Sequence, residues 1–263
     1  MSNFTIVTPN FNMGKYLEKT IISVLDNIEE KDQYIIVDGN STDNSIDIIN
    51  KYLDRITLIR ENDEGYSDAI HKGFSVAKNQ YYCWINSGDL LLEGSIQKAR
   101  ELLNEGYDMI YGNDLHIDEN DKVISHSYGQ VYCFHKLMLY SGWTPLQDAC
   151  FWTSNIYWKV NGIDVNLKYA ADFDFFLRIS KKAKIFYSNT FFSAFRRHHG
   201  QKSISGVNEY KFERKKSQDV QLAIQKNSKL NTIIYVIFFY FILRFRTFIF
   251  LPITRIYFKI KSC

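Results

Sequence analysis

The tetrapeptide Asn86-Ser87-Gly88-Asp89 separates two apolar runs, Tyr81–Ile85 and Leu90–Leu92. A buried strand therefore empties into a tight polar turn with one carboxylate at its tip. At the carboxyl end of a strand in an open α/β sheet, that carboxylate can hold a divalent cation against a phosphate. The same four residue types are also ordinary turn formers. A second acid, Asp38, ends the β-branched run Tyr34–Val37. It can accept a hydrogen bond from a base N–H or a ribose hydroxyl, or it can simply open a turn before a capped helix. The polar stretch Glu61–Ala69 leads into a segment carrying His71 and Lys72, and its acids also suit the first turn of a helix. No G-x-G-x-x-G follows the first apolar run and no G-x-x-x-x-G-K-[ST] occurs, which argues against a dinucleotide cofactor and against a P-loop.

Positioning these groups requires an alternation of strands and helices. Phe4–Thr8, Tyr34–Val37, Ile56–Ile59 and Tyr82–Ile85 read as strands. Between them, Tyr16–Asn27 places Leu17, Ile21 and Val24 on one helical face. Ser41, Thr42 and Asp43 offer N-caps for a helix with Ile46, Ile49 and Leu53 inward, and Asp68–Lys78 forms a third helix. This order predicts an α/β fold with a mostly parallel, Rossmann-like sheet and helices on both faces. Gly94–Glu105 continues as helix and Met109–Tyr111 as strand. From Gly112 to Thr144 the pattern loosens into shorter, partly antiparallel strands. Ala170–Ser180 returns to helical spacing and Ile185–Phe195 to strand.

Of 263 residues, 46% are hydrophobic, enough for one large domain with an appendage. Net charge is +3, but residues from Asn208 onward hold 11 basic and 3 acidic side chains, leaving 21 and 26 in the rest. An acidic body with a basic tail does not suit a nucleic-acid binder. Cys83, Cys133, Cys150 and Cys263 form no C-x-x-C pair and read as free thiols of a reducing compartment. Met1-Ser2-Asn3 leads directly into a strand-like run, with no signal peptide pattern.

Four blocks in order carry a resemblance: Thr8-Pro9-Asn10-Phe11-Asn12, Val37 through Asp43, Asp63 through Gly73, and Asn86-Ser87-Gly88-Asp89. Together they are similar to the family 2 glycosyltransferases of the nucleotide-diphospho-sugar transferase (GT-A) fold, of the bacterial O-antigen and exopolysaccharide type. The resemblance continues more loosely through Gln147–Trp152, Ala171–Asp174 and Arg197–Ser203. It implies that Thr8, Phe11 and Asp38 hold the donor's base and ribose, with Asp68 supporting them. Asn86 stands where the family's D-x-D motif begins. Asp89 and His198 would hold a divalent metal, Mn²⁺ or Mg²⁺, and Asp172 would be the catalytic base. Gly88 stands where the commonest motif has its metal-binding Asp. A single base with no covalent partner implies inversion at the anomeric carbon.

The resemblance sets residues 1–207 as the catalytic domain, with a nucleotide-sugar half (1–112) and an acceptor half (113–207), and residues 208–263 as a basic, aromatic tail. Leu230–Leu243 is densely apolar and is followed by Arg244 and Arg246. An in-plane helix would place its aromatics in the acyl boundary and Arg244, Arg246, Arg255, Lys259 and Lys261 on anionic headgroups. A transmembrane span and a helix docked on the body are the other two readings. The expectation is an inverting transferase using a nucleotide-sugar, UDP-linked, on a lipid-linked glycan acceptor for O-antigen, lipopolysaccharide or capsule, at the cytoplasmic face of a bacterial inner membrane. Two rivals remain: a glycosyltransferase-like scaffold without activity, motivated by Gly88, and a sugar-phosphate nucleotidyltransferase. The latter lacks a Gly-rich, basic first loop in Thr8–Lys15.

Overall fold

A computed structural model describes residues 2–129, 134–198, 201 and 206–225. The elements begin with β1 (Phe4–Asn10), α1 (Gly14–Leu25), β2 (Gln33–Asp38), α2 (Ser45–Asn50), β3 (Thr57–Arg60), α3 (Tyr66–Ser75) and β4 (Tyr81–Trp84). There follow β5 (Leu90–Leu91), α4 (Ser95–Asn104), β6 (Met109–Ile117), β7 (Val123–Ser127) and the short turn α5 (Phe134–Lys136). The last elements are β8 (Cys150–Thr153), α6 (Ser154–Lys159), α7 (Ala171–Ser180), β9 (Ile185–Arg196) and α8 (Val207–Gln225).

The strands form one sheet in the order β3-β2-β1-β4-β8-β6-β9-β5, with β7 on β6. From β3 to β4 it is parallel, as the β-α alternation predicts. Beyond β4 the expectation of a mostly parallel sheet is corrected. β8 runs antiparallel to both β4 and β6, and only β6 and β9 are parallel there. β8 is reached from β7 through the short helical turns Phe134–Lys136, Leu137–Ser141 and Gln147–Ala149, not through a β-α-β crossover like those joining β1, β2, β3 and β4, so nothing forces it into the parallel sense.

Both sheet faces are covered, which explains the continuous apolar character of β1, β2 and β4. On one face Val7, Ile35 and Val37 share a core with Ala69, Ile70 and Phe74 of α3, while Trp84 and Trp152 pack against Phe175 and Phe176 of α7. On the other, Ile6 and Ile36 share a core with Leu17, Ile21 and Val24 of α1, and the same core continues under β8, β6 and β9 to Ile96 and Leu103 of α4. Each fully buried side chain of this kind contributes about 1.5–3 kcal/mol. Gly73 lets α3 lie directly on β1: a Cβ there would stand 2.5 Å from Val7 Cγ1.

The second helix starts later than Ser41–Asp43 suggest. Asp43 instead accepts the Gly14 and Ser45 amides (2.8 and 3.0 Å), and Leu53, expected inward, lies beyond the helix and is 48% exposed. α8 docks along α7. Its Gln218 donates to the carbonyls of Met138 and Leu139 (2.8 and 3.0 Å), and Arg214 to that of Gly142 (3.3 Å). No helix among the described residues is long and apolar enough to cross a membrane. The apolar tail of residues 230–263, with Arg244, Arg246, Arg255, Lys259 and Lys261, lies outside the described residues, as do Cys133, Cys263 and His199.

Candidate active site

A cavity of about 690 Å³ opens at the carboxyl ends of β1 and β4. It is lined from four directions: by Pro9–Phe11 after β1, by Asn86–Asp89 after β4, by the starts of α3 and α7, and by Arg196 with His198 after β9. α8 closes one wall with Tyr210, Lys211 and Arg214. This volume is that of a small-molecule site, and two helix N-termini in its wall favour anions.

The Asn86–Asp89 turn is held by partners distant in sequence. Gly88 has φ of +115°, a conformation L side chains rarely adopt. Its N–H donates to Thr20 Oγ1 (2.9 Å), and its carbonyl accepts from Arg196 Nε (2.7 Å). Here the backbone itself selects glycine over the acid found in the commoner motif. Arg196 is fully buried. Besides Gly88 it reaches the Asp118 carbonyl (2.9 Å) and pairs with Asp121 (2.6 Å), and its amide donates to Asp89 Oδ1 (2.9 Å). The other Asp89 oxygen has a longer contact, 3.3 Å, from Asn86 Nδ2, which also donates to Gln147 Oε1 (2.9 Å). Burial, then the neighbouring Asp148 carboxyl, raise Asp89 above the usual carboxylate range; burial, Asp148 and Asp89 do the same to Asp114. Three buried acids thus share one region.

Asp172 sits in the first turn of α7, and its Oδ1 is buried with no hydrogen-bond partner. Burial pushes its carboxyl up to about 6, against the pull of the helix-start amides, with Glu213 adding to the rise. The segment entering α7 is fixed on two sides. Tyr66, the first residue of α3, accepts the Ala171 amide (3.1 Å) and donates to the Tyr169 carbonyl (3.3 Å). Glu213 of α8 accepts the amides of Lys168, Tyr169 and Ala170 (3.1, 2.9 and 2.8 Å).

Of the residues singled out in the sequence, Phe11, Asn86, Asp89, Asp172 and His198 line the one cavity. Phe11 is exposed at its mouth, and the His198 ring lies 5.3 Å from that of Tyr16. Thr8, Asp38 and Asp68 stand behind the lining. Thr8 is buried, with its hydroxyl 3.1 Å from that of Tyr34. Asp38 is fully buried and accepts from Asn10 Nδ2 (2.7 Å), Ser41 Oγ (2.6 Å) and the Ser41 amide (2.8 Å), tying the ends of β1 and β2 together. Asp68 accepts the Glu64 amide (3.0 Å) and pairs with Lys72 (3.1 Å), which outweigh burial and lower its pKa. Arg196, Glu213, Lys211 and Arg214 were not marked by any motif. Their only signal was the basic and acidic punctuation of β9 and α8. Among the described residues no group of three or more His, Cys, Asp or Glu side chains is arranged to hold a metal.

The model of glycosyl transferase family 2 matches residues 5–199. A glycosyltransferase of Streptococcus pneumoniae, GlyG, is 30% identical over 141 residues, covering 51% of this chain and 47% of the relative. A PGL/p-HBAD biosynthesis glycosyltransferase of Mycobacterium bovis is 22% identical over 182 residues, covering 66% and 68%. The chain thus spans about half the length of the pneumococcal relative. Among solved structures, S. aureus TarS 1-349 in complex with UDP-GlcNAc matches with a TM-score of 0.61 at 16% identity, covering 76% of this chain and 60% of that one. Its complex with UDP matches with a TM-score of 0.63 at 15% identity, covering 88% and 68%. The fold and the family match agree: the chain belongs to glycosyl transferase family 2.

Proposed function

We propose that the chain is an inverting glycosyltransferase that moves a hexosyl unit from a UDP-sugar to a lipid-linked glycan in the assembly of cell-surface polysaccharide such as O-antigen or capsule. The observation that carries this reading is the convergence of the Asn86–Asp89 turn and the unpartnered Asp172 oxygen on one cavity. The donor class draws support from the likeness in fold to structures holding UDP and UDP-GlcNAc. In the reaction, Asp172 takes the proton from the acceptor hydroxyl as that oxygen attacks the anomeric carbon. The bond to the diphosphate breaks in the same displacement, so the configuration inverts. Tyr66 and Glu213 hold the start of α7 so that the base keeps its direction. Phe11 at the mouth offers a ring for the base to stack on, with Thr8, Asp38 and Asp68 as the frame behind it.

Asp89 and His198 are the residues that would hold a divalent cation, Mn²⁺ or Mg²⁺. A buried carboxyl raised by burial and by a second acid fits a cation that restores its charge, with the donor's phosphates completing the ligand set. Such an ion supplies charge neutralisation to the leaving diphosphate. Placement on the cytoplasmic face of a membrane is motivated by the outer side of α8, where Phe212, Val220 and Ile224 are exposed beside Lys215 and Lys216.

The test is thermal stabilisation of the purified chain by a panel of UDP-, GDP-, CMP- and dTDP-sugars, with and without Mn²⁺ or Mg²⁺. Stabilisation by a UDP-sugar, reduced in Asp89→Ala, is the expected result. A folded chain that responds to no nucleotide would replace the enzyme by a sugar-binding or scaffold protein.

A further inference from the structure

Three cations stand on the Asp172 side of the cavity. Lys168 lies on the segment entering α7, four residues before the base, and Lys211 and Arg214 lie on α8. Tyr210 links the two groups, since its hydroxyl feels the charge of both Asp172 and Arg214. Among the described residues none of the three cations has an ion-pair partner, and every Asp and Glu of the chain lies among those residues. The nearest acid in sequence, Glu213, spends both oxygens on the amides of Lys168, Tyr169 and Ala170. Arg214 gives one nitrogen to the Gly142 carbonyl, while its Nε is buried with no partner.

Lys168 and Lys211 are exposed where they line the cavity, and Arg214 is half-buried. The molecule's most enclosed guanidinium groups hold carboxylates. Arg100 holds Glu29 and Asp32, Arg178 holds Asp174, and Arg196 holds Asp121. Arg214 differs from these in holding no carboxylate while its buried Nε has no partner, and with the two exposed lysines beside it this side of the cavity favours an anion. The donor's diphosphate belongs at the Asn86–Asp89 end, so the remaining ligand with access to Asp172 is the acceptor.

We infer that Lys168, Lys211 and Arg214 form an anion subsite for the acceptor, so that the hydroxyl to be glycosylated is carried next to a phosphate or a carboxylate. This rests on the transferase reading of the cavity. The subsite would orient the hydroxyl toward Asp172 through charge-assisted contacts with the neighbouring anion, and would reject neutral glycans of the same shape.

The experiment titrates the full chain, first saturated with UDP, with glycerol 3-phosphate, glucuronate, glycerol and glucose. The expected result is binding of the anions over their neutral counterparts, weakened about tenfold in Lys168→Ala and again in Lys211→Ala, the loss of one charge-assisted contact each. Affinity for UDP stays within about twofold of the parent chain. Tighter binding of glycerol 3-phosphate than of glucuronate assigns a phosphate-bearing acceptor, and the reverse order a carboxylate-bearing one. Equal binding of anions and neutral compounds would overturn the inference. A loss of UDP affinity in the lysine variants would also overturn it, by returning the cations to the donor. If the folded parent chain binds no UDP at all, the transferase reading falls and takes the subsite with it.

Discussion

Asp38 and Asp172 are both carboxylates at the junction of two elements, and the molecule treats them in opposite ways. Asp38 in the parallel half is enclosed by Asn10 and Ser41, with both oxygens accepting hydrogen bonds. Asp172 in the mixed half keeps one buried oxygen without a partner, and its carboxyl is pushed up to about 6. A saturated acid fastens strands. An acid left open beside a cavity is available to take a proton. The contrast extends to the cations, since the buried Arg196 holds the carbonyls of Gly88 and Asp118 and pairs with Asp121, while the exposed Lys168 and Lys211 have no ion-pair partner among the described residues.

The largest effect expected of any single change is on turnover. Asp172→Asn preserves shape and removes the base, so transfer should fall by about 10²–10⁴-fold with UDP-sugar affinity retained. Turnover near the parent level would erase the distinction between the two acids. Next, Arg196→Ala leaves Asp121 and the Gly88 carbonyl without their buried partner. A loss of about 1–3 kcal/mol for each carbonyl that loses the guanidinium, Gly88 and Asp118, is expected in denaturant unfolding, with Asp121 still held by Lys19. Asp38→Asn replaces one acceptor by an amide donor, which then faces either Asn10 Nδ2 or the Ser41 amide. It should cost about 1–3 kcal/mol of stability with UDP affinity little changed. Lost affinity at full stability would instead place Asp38 in contact with the nucleotide. The smallest effect belongs to Glu213→Gln, which keeps an acceptor for the amides preceding α7 but weakens their hold by about 1 kcal/mol. That should appear as a several-fold drop in kcat with the donor KM unchanged.

The parallel half was legible because its signals are local. β1, β2 and β4 are apolar runs closed by Asn10, Asp38 and Asn86, and α1 repeats apolar residues at helical spacing. The antiparallel β8 escaped notice because Cys150–Thr153 is four residues long and lacks alternation. The site followed the same division. Asn86, Asp89 and Asp172 stand in recognisable blocks, whereas Arg196 acts on Gly88 across 108 positions and Glu213 on Ala170 across 43. No local pattern carries a partner that distant. Gly88 was legible as a departure from the commoner motif but not as a necessity, because its φ of +115° is a property of the folded turn.

The central claim is that Asp172 acts as the base, and the pH dependence of transfer at saturating donor tests it most directly. Asp172 works only when ionised, so a carboxyl raised to about 6 predicts a rate that climbs with pH through that value and levels off above it. In Asp172→Asn the residual rate should be low and should lack that limb. A variant that keeps both the limb and the rate would show that another group takes the proton, and would contradict the account.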